Sequence, residues 1–215
     1  MIKDVITVPP DYPHLHTVII MHGMDQSIED ILYIATIIRK RKKNTKFVIP
    51  VAEEMIMGHP EYPNRCKSWY NYYTKRDNLL RHDTINKEEF DNITEELIRI
   101  IKKESKIVTP EMLSVVGISQ GGTVCINAAL RLKFRIKNIK CIDTIFLHTH
   151  TDTNNCVSQY FQVLISNKDE IYRPDFQEYC YDILKSYGNI LMISHRDNSH
   201  CEDIDSITAF IIKNY

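Results

Sequence analysis

Three of the six glycines in this 215-residue chain fall in one window of six, Gly117-Ile118-Ser119-Gln120-Gly121-Gly122. The apolar run 113–116 precedes it and the helical pattern 123–132 follows. A short strand, a G-x-S-x-G turn and a helix in that order make a nucleophile elbow, in which a serine hydroxyl stands out above the end of a sheet. The spacing has a steric reason. Where a strand turns straight into a helix the two backbones nearly touch, and positions two places either side of the serine have no room for a side chain. Gly117 and Gly121 occupy those positions, and Ser119 is read as the nucleophile.

Around this unit the chain alternates strand and helix. Strands are predicted at 16–21, 46–49, 113–116, 141–147, 160–165 and 189–193. Between them, Ser27 with Asp30 three residues on opens a helix whose apolar face is Ile28, Ile31, Leu32, Ala35 and Ile38. Phe90, Ile93, Leu97, Ile98 and Ile101 mark a second helix over about 87–103, and Phe176, Tyr179, Cys180, Ile183 and Leu184 a later one. Ile204, Ile207, Phe210 and Ile211 mark the last. Repeated strand–helix units predict an α/β fold with a mainly parallel sheet and helices on both faces. The expected organisation is one domain over 1–215, with an irregular, lid-like segment at 51–85 that holds Trp69, Tyr70, Tyr72 and Tyr73.

Charge and cysteines narrow the possible partners. The formal net charge of −1 gives no global field toward nucleic acid or an anionic membrane, so neither is expected as a partner. The basic run 39–43 ends a predicted helix, where cations complement the macrodipole. No stretch has the length of a signal-peptide core or a membrane span, and the expectation is a soluble, cytoplasmic protein. Six cysteines without C-x-x-C spacing read as free thiols, several of them filling the core.

A neutral serine is a poor nucleophile, so it needs a histidine base and an acid that fixes the base's tautomer. In enzymes built around such an elbow these follow in the order Ser, Asp or Glu, His, each in a loop after a strand. After the strand at 160–165 comes Asp169, with Glu170 its nearest rival. Asp143, read as lying at a strand start, and Asp152 are less well placed. After the last strand stand His195 and His200; His200, immediately before the last helix, is the expected base, and His195 is read as structural. The oxyanion that forms in acyl transfer needs two backbone N–H donors. Gln120 follows the nucleophile, and Met24 lies in the loop 22–24 after the first predicted strand. His148-Thr149-His150-Thr151-Asp152 alternates as a strand end would, placing two histidines on one face, but no full metal-ligand set is evident and no metal is expected.

His22-Gly23-Met24, Ser68-Trp69-Tyr70, the Gly117–Gly122 window, the Asp169 loop and the His200 loop together resemble the phospholipase/carboxylesterase family, which includes the acyl-protein thioesterases. The resemblance runs from about residue 15 to 212. It implies an α/β-hydrolase fold, a Ser119/Asp169/His200 triad, an oxyanion hole from Met24 and Gln120, and a pocket wall that includes Trp69. It further implies hydrolysis of carboxylic esters or thioesters, of small molecules or acylated proteins, through an acyl-enzyme on Ser119 and without cofactor. The alternatives are a catalytically inactive binding protein of this fold, or a lipase or peptidase. Three departures stand out. Asp25-Gln26 replace a usual Gly-Asp, Ser166-Asn167-Lys168-Asp169-Glu170 replaces G-D-x-D-P, and Ser199 precedes the base where glycine or methionine is usual.

Overall fold

The computed structural model describes residues 1–57, 65–77, 80–153 and 156–213, with the backbone alone for 73–77 and 80–83. The chain opens with β1 (Ile2–Val8), β2 (His16–Met21), α1 (Ile28–Arg41) and β3 (Thr45–Ala52). Two short antiparallel pairs follow: β4 (Glu54–Ile56) with β5 (Arg65–Lys67), and β6 (Tyr72–Asp77) with β7 (Leu80–Ile85). Then come α2 (Lys87–Glu104), β8 (Leu113–Ile118), α3 (Gln120–Arg131), β9 (Asn138–Ile142), β10 (Tyr160–Ser166), α4 (Pro174–Ser186), β11 (Ile190–Arg196) and α5 (Ile204–Ile212). Among the described residues no helix is long and apolar enough to cross a membrane.

Seven strands form one sheet in the order β1-β3-β2-β8-β9-β10-β11. Every neighbouring pair is parallel except β1 with β3. From β2 the chain steps outward to β3, returns across β2 to β8, then walks the other way through β9, β10 and β11. Strand order therefore reverses between β2 and β8, and in such sheets ligands collect beyond the carboxyl ends of the strands at that point. The loops that carry Met24 and Ser119 both leave the sheet there.

Side-chain alternation along the strands builds two cores. Val115 of β8 points to the face covered by α2, α3 and α4, with Phe90, Leu97, Val124 and Leu184. Its neighbours Val116 and Ile118 point to the face covered by α1 and α5, with Ile34, Ile38 and Ile211. At roughly 2 kcal/mol for each fully buried Ile or Leu, these layers fix the frame from which the loops project. Ser27 caps α1 by accepting the Glu29 N–H at 3.1 Å, so residue 30 is not the capping partner.

Several elements differ from the sequence pattern. β1 was not anticipated; it is an edge strand whose residues alternate only partly and none of which is fully buried. The segment 51–85, expected to be irregular, includes the last residues of β3 and the two small strand pairs, with residues 58–64 and 78–79 outside the described set. β9 starts earlier than expected and ends at Ile142; Ile145, Phe146 and Leu147 are apolar because they are buried, not because they extend a strand. Residues His148–His150 form one turn of 3-10 helix, so these two histidines do not share a strand face. In α4 the buried set is Gln177, Cys180, Tyr181 and Leu184, while Tyr179 is 57% exposed.

Candidate active site

Ser119 sits at the tip of the β8–α3 turn with φ 48° and ψ −121°, a strained backbone for a residue with a side chain. The turn is as tight as the glycines suggest. A Cβ on Gly117 would lie 2.4 Å from the Cα of Gly122, so strand and helix touch as expected. At Gly121 the crowding comes from the neighbouring strand instead: its Cβ would meet the carbonyl oxygen of His22 at 2.5 Å. The elbow is thereby pressed against the end of β2, and a Cβ built on Gly23 would lie 3.3 Å from that of Ser119.

Three loops far apart in sequence meet above this point. Ser119 Oγ lies 2.8 Å from His200 Nε2, and His200 Nδ1 lies 2.7 Å from Asp169 Oδ2. An ionised carboxylate can only accept, so Nδ1 carries the proton and Nε2 is left to accept from the serine hydroxyl. Asp169 is 3% exposed, and its lone pairs are filled. Oδ1 accepts the N–H groups of Ile171 and Tyr172, each at 2.8 Å, and Oδ2 also accepts Gln177 Nε2 at 3.0 Å. Gln177 rides on α4, and the Tyr172 ring stands edge-on to the His200 imidazole. Neither was foreseen. The polar Gln177 in the buried stripe of α4 is the only mark they leave in the sequence.

The rival residues lie elsewhere. Glu170 and Asp152 are exposed. His195 lies within β11, with Nδ1 3.1 Å from Asn167 Oδ1 and Nε2 3.4 Å from Glu178. Asp143 does not begin a strand. It follows β9, buried, with φ 45°, and pairs with Arg196 at 2.7 Å.

The loop 22–26 after β2 packs beside Ser119 and is held by hydrogen bonds at Gly23, Asp25 and Gln26. The Gly23 N–H donates to Gln26 Oε1 at 2.8 Å and the Asp25 N–H to Lys67 O at 2.8 Å. Asp25 takes φ 53°, where a glycine was usual by resemblance. His22 is wholly buried beneath the loop; its Nε2 accepts the Ala52 N–H at 3.1 Å, so Nδ1 bears the proton and donates to Gly23 O at 2.7 Å. Burial lowers this imidazole's pKa to about 4. Among the described residues no hydrogen bond occupies the backbone N–H of Met24 or of Gln120.

The Gln120 side chain explains the Ser68-Trp69-Tyr70 motif. Its Oε1 accepts the Trp69 N–H at 3.0 Å and its Nε2 donates to Ser68 Oγ at 2.8 Å and Tyr70 O at 2.9 Å. Trp69 is fully buried, its ring tilted 39° against that of His22 with centroids 4.5 Å apart, and its Nε1–H donates to His22 O at 2.7 Å. Its indole therefore supports the 22–26 loop from behind.

Among the described residues one group of three His, Cys, Asp or Glu donors lies within 4.8 Å: Asp143, His200 and Cys201. Both imidazole nitrogens are already engaged and the carboxylate faces a guanidinium, so this set suits hydrogen bonding rather than an ion. Burial, followed by the charges of Asp143 and Asp169, pushes the Cys201 thiol well up, which keeps it protonated beside the histidine.

The sheet order, the elbow and the loop positions define an α/β-hydrolase. The model of the phospholipase/carboxylesterase family matches residues 3–211, and the chain belongs to that family. No curated protein matches it at a significant level of sequence similarity. Among solved structures, esterase PE8 superposes with a TM-score of 0.76 at 18% identity, covering 95% of each chain. Acyl-protein thioesterase 2 of Zea mays gives 0.70 at 13% identity over 97% of each chain. The carboxylesterase of Bacillus cereus gives 0.74 at 11% identity, covering 100% of this chain and 95% of its own.

Proposed function

We propose that this chain is a serine hydrolase that cleaves carboxylic esters or thioesters by two-step acyl transfer through Ser119. In the first step Ser119 Oγ attacks the carbonyl carbon while its proton passes to His200 Nε2. The oxyanion accepts from the backbone N–H groups of Met24 and Gln120. Collapse of the tetrahedral species breaks the bond to the alcohol or thiol, which leaves with the proton from His200. Water then attacks the acyl-enzyme with His200 again as base, and the released acid restores the free serine. Asp169 holds the imidazole tautomer throughout and stabilises its cationic form.

The observation that carries this reading is the line of two hydrogen bonds, 2.8 Å and 2.7 Å, through Ser119, His200 and Asp169. Family membership supports it, and so does structural similarity to esterases and an acyl-protein thioesterase. The substrate is an ester or thioester of a small molecule or an acylated protein. A panel of acyl p-nitrophenyl esters and acyl thioesters of graded chain length tests the proposal. Wild type is expected to hydrolyse a subset, and Ser119→Ala to lose kcat/KM on the order of 10⁴- to 10⁶-fold. Full activity in that variant overturns the assignment.

A further inference from the structure

The end of β9 and the two residues after it, 142–144, touch the carriers of all three triad members. Ile142 O accepts the Ser119 N–H at 2.9 Å, and the Thr144 hydroxyl donates to Ser119 O at 2.6 Å, so the nucleophile's backbone is held from both sides. Between these two, the Asp143 side chain reaches the other loops. Its Oδ1 accepts the Ser166 N–H at 2.8 Å and its Oδ2 the Ser166 hydroxyl at 2.9 Å, at the head of the loop that carries Asp169. Oδ2 also accepts the Cys201 N–H at 2.9 Å, one residue beyond His200.

Arg196, at the end of β11, completes the grip. Its Nη2 donates to Asp143 Oδ2 at 2.7 Å and its Nε to Ser166 Oγ at 2.8 Å. From the other arm of the guanidinium, Nη1 donates to the carbonyls of Glu202 at 2.6 Å and Asp203 at 3.3 Å. The Asp143 side chain has no exposed surface and that of Arg196 is 7% exposed. The loop they hold needs holding: Cys201 at φ 51° and Asp203 at φ 62° are both in the left-handed region without being glycine.

We infer that Asp143 and Arg196 are a positioning pair that registers the His200 loop against the Ser119 elbow and the Asp169 loop. The inference rests on the triad reading above. Asp143 itself takes no proton in the reaction; its oxygens are filled by donors, and Asp169 is the carboxylate that meets the imidazole. The pair acts through where it puts His200, and a misplacement of about 1 Å costs on the order of 10²-fold in rate.

The test compares Asp143→Asn and Arg196→Gln in the full chain with Glu104→Gln. Glu104 forms a comparable pair with Lys46 at 2.7 Å, but at the amino ends of β2 and β3, across the sheet from the site. Folded fraction is followed by circular dichroism. The two site variants are expected to lower kcat on the order of 10²-fold with KM little changed, and Glu104→Gln to keep kcat. In the same samples the proton between His200 Nδ1 and Asp169 is followed as a downfield ¹H NMR signal, expected in wild type and broadened or lost in both site variants. Folded variants that keep both kcat and this signal overturn the inference. Should Asp143→Asn fail to fold, Arg196→Gln, whose residue lies on the edge strand, decides it. A wild type that shows the signal yet hydrolyses nothing in the ester panel counts against the hydrolase reading, and the variants' NMR signals then decide the positioning role.

Discussion

Among the described residues five that are not glycine hold φ between 45° and 62°: Asp25, Ser119, Asp143, Cys201 and Asp203. All five border the candidate site, and each such residue costs on the order of 1–3 kcal/mol. The surroundings that sustain them are specific, as with Asp25 held by Lys67 O and Ser119 by Ile142 O. His22 shows the same coupling of stability to the site. Its folded-state pKa of about 4 lies below the ordinary 6.5 because burial opposes the charge. Between those values the unfolded chain binds a proton that the folded chain refuses, so stability falls as pH drops from about 6.5 to about 4, by roughly 3 kcal/mol in all. Urea unfolding at a series of pH values is expected to show this loss in wild type and a shallower one in His22→Gln; parallel curves would exclude His22 as the cause. At this scale the meeting of Ser119, His200 and Asp169 was expected, because the proposed acyl transfer needs those residue types after particular strands. Asp143 with Arg196 was not, since two partners 53 positions apart leave no local pattern. For Trp69 the sequence left packing under a loop and walling a pocket equally open, because an aromatic in a loop looks the same in both settings.

The strand–turn–helix unit of β8 and α3 makes the sharpest prediction among the elements. A methyl group at Gly117 would overlap backbone atoms of the elbow itself, which cannot rotate away as a side chain can. Gly117→Ala is expected to cost at least roughly 1–3 kcal/mol and to lower Tm by several degrees, read by thermal unfolding. An unchanged Tm would mean that the turn is looser than described. Strands β2, β8 and β10 could be read as continuous apolar runs because both of their faces are buried, and α1, α2 and α5 from the helical spacing of their apolar residues. The misreadings around β9 share one cause. Past Ile142 the chain stays buried but leaves the sheet, so hydrophobicity persists after the strand has ended, and a 3-10 turn containing His148 and His150 passed for a strand end. In α4 the buried Tyr181 and exposed Tyr179 are chemically alike, so composition could not set the phase.

Across the whole molecule β9 and the residue that follows it grip both ends of α5. Asp143 holds the loop that leads into the helix, and the buried Lys140 Nζ donates to the carbonyls of Phe210, Ile211 and Lys213 at its far end. Burial pulls Lys140 down to about 7 from 10.5. Between those values the unfolded chain carries a proton that the folded chain does not, so this group makes stability rise as pH increases from about 7 to about 10.5. Lys140→Met is expected to remove that part of the rise, measured as unfolding free energy at near-neutral and alkaline pH; an identical rise in both proteins would refute it. The reversal of strand order between β2 and β8 brings the Met24 and Ser119 loops together, while β10 and β11 deliver Asp169 and His200. Covalent labelling probes whether that convergence activates Ser119. After treatment with a fluorophosphonate, peptide mass mapping is expected to place one adduct on the peptide that contains Ser119, with labelling strongly slowed in His200→Ala. No adduct, or an adduct elsewhere in a protein that still hydrolyses esters, would contradict it.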